Sequence, residues 1–261
     1  MRGATPCATC FAGSAASATR GKRSPPARST RRRRSGARWR RPAWGSSQGA
    51  IDDLYESFPD GFFDRADPSG DQYFYGFTRL VTHIDDGAIA AVGALYDELG
   101  IDGDVLDLMS SWVSHFRATP RNLTVLGMNR EELDANPQAA ARVVHDLNAS
   151  PLLPFPDAAF DAAVCCVSVD YLVHPIEVFR DVARVLRPGA PFVCTFSNRL
   201  FPTKAIRGWL SSGDREHLAI VAEYFKRSGA FAEPVAQLRT PLDQPGDPLY
   251  AVWAPKTAPE C

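Results

Sequence analysis

Four short apolar runs at near-regular spacing constrain this chain more than any other feature. The first is Val105-Leu106-Asp107-Leu108. About twenty residues on, a second ends Leu126-Gly127-Met128-Asn129, and about twenty further a third ends His145-Asp146-Leu147. The fourth is Phe160-Asp161-Ala162-Ala163-Val164-Cys165-Cys166-Val167. Strands spaced this way, with helical segments between them, fit a parallel sheet that presents its ligand across the strand C-termini.

The flanking periodicity extends that reading. Ile89, Val92, Leu95, Tyr96 and Leu99 recur at helical steps and Gly100 closes the run, which predicts a helix over 85–99. Strands follow at 104–108, 123–128, 142–145 and 161–167. A short helix is expected after Trp112 and another from Glu131. A further helix spans 175–186 and is stopped by Arg187-Pro188-Gly189. A strand at 192–196, a helix at 214–228 and strands near 233–239 and 248–253 complete the chain. The expected fold class is α/β: a Rossmann-like, seven-stranded, mostly parallel sheet with helices on both faces and one antiparallel strand near its edge.

Charge divides the chain. Residues 1–50 hold twelve of the 29 Arg and Lys and no Asp or Glu, so the rest sets 17 basic residues against 30 acidic ones. An Arg- and Ser-rich, acid-free stretch fits a disordered basic leader of the organelle transit type, with the chloroplast favoured over the mitochondrion. The run Arg31–Arg34 also fits a nuclear signal or a nucleic-acid patch. The acidic body argues against nucleic acid as a partner of the folded part. Cys7 and Cys10 form a CxxC without a second ligand pair, so no metal is expected. No window approaches the roughly twenty apolar residues of a membrane span. Residues 51–84 are aromatic and irregular and are expected to pack on a main domain over 85–261, as a lid if they reach its ligand.

From Leu153-Pro154-Phe155-Pro156-Asp157 and Phe160-Asp161-Ala162-Ala163-Val164, through Asp170-Tyr171-Leu172, to the helix Glu177–Leu186 and Arg187-Pro188-Gly189, the chain resembles the class I S-adenosylmethionine (SAM) methyltransferases of the type 11 group. The resemblance covers roughly 85–253 and implies S-adenosyl-L-methionine as cofactor. It implies that Asp107 ends the first strand beside the cofactor and that Asn129 stands where an acidic residue accepts the ribose hydroxyls. It places Asp146 at the adenine amino group, with the Leu147 N–H beside it. Asn accepts through one oxygen only and lacks the charge.

The loop after Asp107 departs from the family. Met109, Ser110, Ser111 and Trp112 stand where its glycines do. In one reading, Ser110 and Ser111 hold the methionine carboxylate and Trp112 covers the sulfonium through a cation–π contact. In the other, Met109 and Trp112 fill the cofactor space and the protein is a non-catalytic binding or assembly module. Without glycine, the loop backbone is expected to keep ordinary φ angles. Methyl transfer needs alignment and, for some acceptors, a base. Tyr171, Asp170 and His83 are the candidates at the reacting end, with Tyr171 first as a substrate-facing group. Arg199, Lys204 and Arg207 suit an acidic or phosphorylated substrate, and equally a solvated helix face beside a packed turn; a small-molecule substrate is expected.

Overall fold

The apolar runs become strands bounded by turn residues; those at Asp104–Leu108, Asn122–Gly127 and Ala162–Cys166 are buried on both faces, while Ala141–Val144 at the sheet edge is not. The computed structural model describes residues 54–258, apart from 242 and 244; the basic leader at 1–50 lies outside the described residues. Seven strands run β1 Asp104–Leu108, β2 Asn122–Gly127, β3 Ala141–Val144, β4 Ala162–Cys166, β5 Pro191–Phe196, β6 Val235–Leu238 and β7 Tyr250–Pro255. Their order across the sheet is β3-β2-β1-β4-β5-β7-β6, with β7 antiparallel to both neighbours and the first five strands parallel. Leu108 pairs with Leu126 on one side and Cys165 on the other, so β1, β2 and β4 end nearly level. That shared edge is where a parallel sheet offers a ligand its crevice.

Helices that accompany the strands among the described residues are α1 Asp71–Tyr75, α2 Asp86–Glu98, α3 Arg130–Ala135, α4 Pro175–Val185, α5 Arg207–Leu210 and α6 Asp214–Ser228. A 3-10 turn covers Val169–Tyr171. α2 starts where the Asp85 side chain accepts the Ala88 N–H at 2.8 Å. α4 starts with Pro175 at its first turn and buries Ile176, Val178, Phe179, Val182 and Val185. Each such side chain stabilises by about 1.5–3 kcal/mol. Phe179 meets Phe225 of α6 at 4.8 Å and Phe192 of β5 at 4.9 Å, which makes this face the larger core. The other face buries Val92, Leu95 and Tyr96 of α2 with Leu133 of α3.

The helix expected after Trp112 does not form; residues 109–121 cross from β1 to β2 without one. His115 sits at φ +58 and Pro120 follows, both adverse to a helix. Side chains from beyond α3 take up the loop's carbonyls instead. Asn136 Nδ2 donates to Ser111 O at 3.0 Å, and Gln138 Nε2 donates to Phe116 O at 2.9 Å.

The aromatic N-terminal segment lies on the larger core. Phe58, Phe62 and Phe63 pack against it. Its backbone is tied to the stretch after β5: the N–H groups of Arg207 and Gly208 donate to Asp64 O and Phe62 O at 2.7 and 2.8 Å. Among the described residues, no helix is long and apolar enough to cross a membrane.

Candidate functional site

A cavity of about 320 Å3 opens across the C-terminal ends of β1 to β4, and the N-terminal segment and residues 199–201 complete its wall. Of the residues singled out from the sequence, Asp107, Ser110, Ser111, Trp112, Asn129, Asp146, Leu147, Tyr171 and His83 all line it. Asp170 does not.

The first loop is held close to the sheet. Ser110 Oγ donates to Asp107 at 2.6 Å, and the Ser110 N–H donates to Leu126 O at 2.8 Å. A side chain at Gly127 would run into the Ser110 carbonyl oxygen, so the close approach depends on glycine in β2 rather than in the loop. The expectation of ordinary φ angles is overturned: Met109 adopts φ +53. A non-glycine residue in this left-handed region costs roughly 1–2 kcal/mol, and the turn out of β1 imposes it all the same. Val167, at the matching end of β4, adopts φ +46 although it is β-branched. With His115 at φ +58, three strained residues thus line one cavity. Burial pushes the Asp107 carboxyl up to about 7, with the Ser110 and Ser114 hydroxyls pulling it back. Trp112 is half-buried, and its Nε1–H donates to Val81 O at 3.0 Å, which ties the loop to the N-terminal segment.

At the end of β2, Asn129 works as a helix cap. Its Oδ1 accepts the N–H groups of Glu131 and Glu132 at 3.0 and 3.1 Å, and its Nδ2 donates to Tyr75 O at 3.0 Å. The spacing Asn129-x-x-Glu132 is a capping-box pattern that the sequence reading passed over. Glu132 does not return to the cap; it lines the cavity and takes the Ser111 hydroxyl and the Arg79 N–H, both at 2.7 Å. At the end of β3, Asp146 Oδ1 accepts the N–H groups of Asn148 and Ala149 at 2.9 and 3.1 Å. Among the described residues, nothing accepts the Leu147 N–H beside it, although Leu147 is only 4% exposed.

The opposite end is aromatic. Phe201 meets His83 at 5.3 Å, Tyr171 at 6.0 Å and Tyr75 at 6.5 Å. The Tyr171 hydroxyl accepts the Phe201 N–H at 2.9 Å, which fixes the ring in the wall. The buried Tyr75 hydroxyl has no partner among the described residues. His83 keeps solvent access at the rim, and desolvation lowers its pKa, as it does for His115; both are neutral at pH 7 and able to take a proton. Asp170 is buried behind the cavity in the 3-10 turn, so its proposed place as a base at the reacting end is not met.

The three cations after β5 are all committed. Arg199 pairs with Asp247 at 2.7 Å and Arg207 with Asp64 at 3.1 Å. Lys204 is fully buried and pairs with Asp67 at 2.9 Å and Asp71 at 3.3 Å. They neutralise carboxylates of the protein itself. Arg79 lines the cavity, as Arg199 does, but its guanidinium lies 4.9 Å over the Phe74 ring, donates to Phe74 O and Phe77 O at 3.0 and 3.2 Å, and makes no salt bridge among the described residues.

A sheet in this order, with a cavity across its parallel C-terminal edge, is the architecture of the class I methyltransferases. Residues 106–194 match the family described as "Methyltransferase domain". That match and the fold support a class I methyltransferase domain of the type 11 group, with S-adenosyl-L-methionine as its cofactor. Among solved structures, it is similar to a chain of the complex between the Haloferax volcanii Trm112 methyltransferase activator and a methyltransferase. That similarity has a TM-score of 0.51 and 18% identity, over 67% of this chain and 92% of that one. An S-adenosylmethionine-dependent methyltransferase from Mesorhizobium loti is 18% identical over 59% of this chain and 92% of its own, with a TM-score of 0.41. No curated protein matches the sequence.

Proposed function

We propose that this protein is a SAM-dependent methyltransferase acting on a small molecule in an organelle, the chloroplast favoured over the mitochondrion. The observation that carries the cofactor is the pair at the end of β3. A carboxylate at Asp146 and an unaccepted N–H at Leu147 lie side by side in the cavity wall. The Watson–Crick edge of adenine offers a donor and an acceptor side by side, and a buried N–H left unpaired is costly. When bound, the cofactor supplies a methyl group on a cationic sulfur.

Asp107, Ser110, Ser111 and Trp112 wall off the amino-acid part of the cofactor in this reading. At the reacting end, Tyr171 shapes the acceptor site and neutral His83 takes a proton from an acceptor that must lose one. An anionic group on the substrate meets Arg79, the cation left over after the pairs of Arg199, Lys204 and Arg207. The roof supplied by the protein's own N-terminal segment favours a small acceptor.

Calorimetric titration of SAM into the purified protein tests the reading. Asp146→Ala should weaken binding by about 1–3 kcal/mol, the cost of leaving a buried donor without its acceptor. Unchanged affinity in a folded variant would contradict the adenine assignment. No binding by the intact protein would favour a non-catalytic module of the same fold. The organellar reading rests on the acid-free leader at 1–50. Mass spectrometry of the protein from cells should find an N-terminus near residues 40–55, as transit peptides are removed on import. An intact nuclear form starting at Met1 would refute it.

A further inference from the structure

We propose that Glu132, and not Asn129, is the residue that accepts the ribose hydroxyls of the cofactor. This rests on the SAM-binding reading above and deepens it.

The argument begins with acceptor capacity. An amide oxygen has two lone pairs, and a carboxylate offers roughly four acceptor sites. Both sites on Asn129 Oδ1 are occupied by the N–H groups of Glu131 and Glu132, at 3.0 and 3.1 Å. Thr78 Oγ1 stands a further 3.5 Å from the same oxygen. The amide nitrogen already donates to Tyr75 O. Asn129 is 8% exposed and locked at the start of α3. To accept a ribose hydroxyl it would have to abandon the helix N-terminus and leave the N–H groups of Glu131 and Glu132 without their acceptor.

Glu132 stands one helical turn further on and lines the same cavity. Each of its oxygens accepts one hydrogen bond, from Ser111 Oγ and from the Arg79 N–H. Two acceptor sites therefore remain, and a ribose diol presents two donors. No arginine or lysine pairs with Glu132 among the described residues, so its charge is not neutralised.

The other carboxylates of the cavity are spoken for. Asp71 is bonded to Arg65 at 2.7 Å, Lys204 at 3.3 Å and Asn148 at 2.8 Å. Asp107 is buried at the end of β1 beside the first loop. Asp146 belongs to the β3 end and the adenine. Glu132 alone combines spare acceptor sites with a place between the first loop, through Ser111, and the end of β2.

The test measures discrimination as well as affinity. The full chain is titrated with S-adenosylhomocysteine and with its 2′,3′-dideoxy analogue by calorimetry, and the melting temperature of each variant is recorded. The wild type should bind the natural ligand more tightly. Glu132→Gln keeps the side-chain shape but removes the charge and half of the acceptor sites. It should lose about tenfold in affinity for the natural ligand, the scale of one charged hydrogen bond, and should bind the two ligands almost equally. Asn129→Ala should lower the melting temperature and keep the discrimination. Discrimination that survives in Glu132→Gln, or that vanishes in Asn129→Ala, overturns the proposal while leaving the cofactor reading standing. A wild type that binds neither ligand overturns both.

Discussion

Asp181→Ala should lower the free energy of unfolding by about 3–5 kcal/mol, the usual cost of stripping one partner from a buried ion pair. Asp181 is fully buried on α4 and accepts three hydrogen bonds, two from the Arg184 guanidinium and one from a backbone N–H. Its Oδ1 takes Arg184 Nε at 2.7 Å; its Oδ2 takes Arg184 Nη2 at 2.9 Å and the Leu153 N–H at 2.6 Å. Arg184 then reaches Phe155 O at 2.9 Å, Leu153 O at 3.1 Å and Asp157 at 2.8 Å. The proline-rich loop and the helix that marks the family in sequence are therefore one hydrogen-bonded unit. The variant would leave a guanidinium and an N–H without their acceptor together. Denaturant unfolding that shows a loss below about 1 kcal/mol would mean that water replaces the carboxylate and that the unit is not cooperative.

The second large effect is a pH dependence. Burial pushes the Asp170 carboxyl up to about 8, against the opposing pull of the Tyr171 hydroxyl. Its Oδ2 has no partner among the described residues. The folded protein therefore holds this proton at pH values where the unfolded chain, with an ordinary carboxylate, has released it. Stability from this group is fully present below about pH 4 and is lost as the pH rises through about 8. Asp107, raised to about 7, acts in the same direction. Asp170→Asn removes the ionisation, so the variant should gain about 2–5 kcal/mol on the wild type near pH 9 and almost nothing near pH 4. Unfolding free energies measured at both ends of that range decide it. A gain independent of pH would show that Asp170 is already ionised in the folded state.

The strands were legible because each is an apolar run bounded by turn residues, and α2, α4 and α6 because their buried positions repeat at helical steps. Asp214–Ser228 even carries its stop signal, Gly229, at φ +66. The connection after β1 was not legible. Its course is decided by Asn136 and Gln138, which bond the loop from beyond α3, and no local pattern announces a partner more than twenty residues away. The strained Met109 is of the same kind, since a left-handed φ at a non-glycine residue is imposed by the surroundings. The capping role of Asn129 was not legible for a different reason. Its position at a strand end drew attention, while the Glu three residues on, which marks a helix cap, went unweighed. The cations after β5 carried charge in the sequence but gave no sign of the Asp64, Asp67, Asp71 and Asp247 partners that consume it.

Lys204 has a consequence for the order in which the protein assembles. Its ammonium, fully buried, is met by Ser69 O at 2.9 Å across a separation of 135 residues, and Asp67 and Asp71 come with it. Contacts so distant in sequence close the longest loops, and their entropy is offset only once both sides are already ordered. The sheet can pair β1 with β2 and β4 without the N-terminal segment; the cavity cannot gain Tyr75, Arg79 or His83 until that segment docks. Lys204 shares that docking with the Phe62 and Asp64 carbonyls and with Leu54 O, which accepts from Arg227 at 2.8 Å across 173 residues, so a sheet without the docked segment is a scaffold that lacks a finished place to bind.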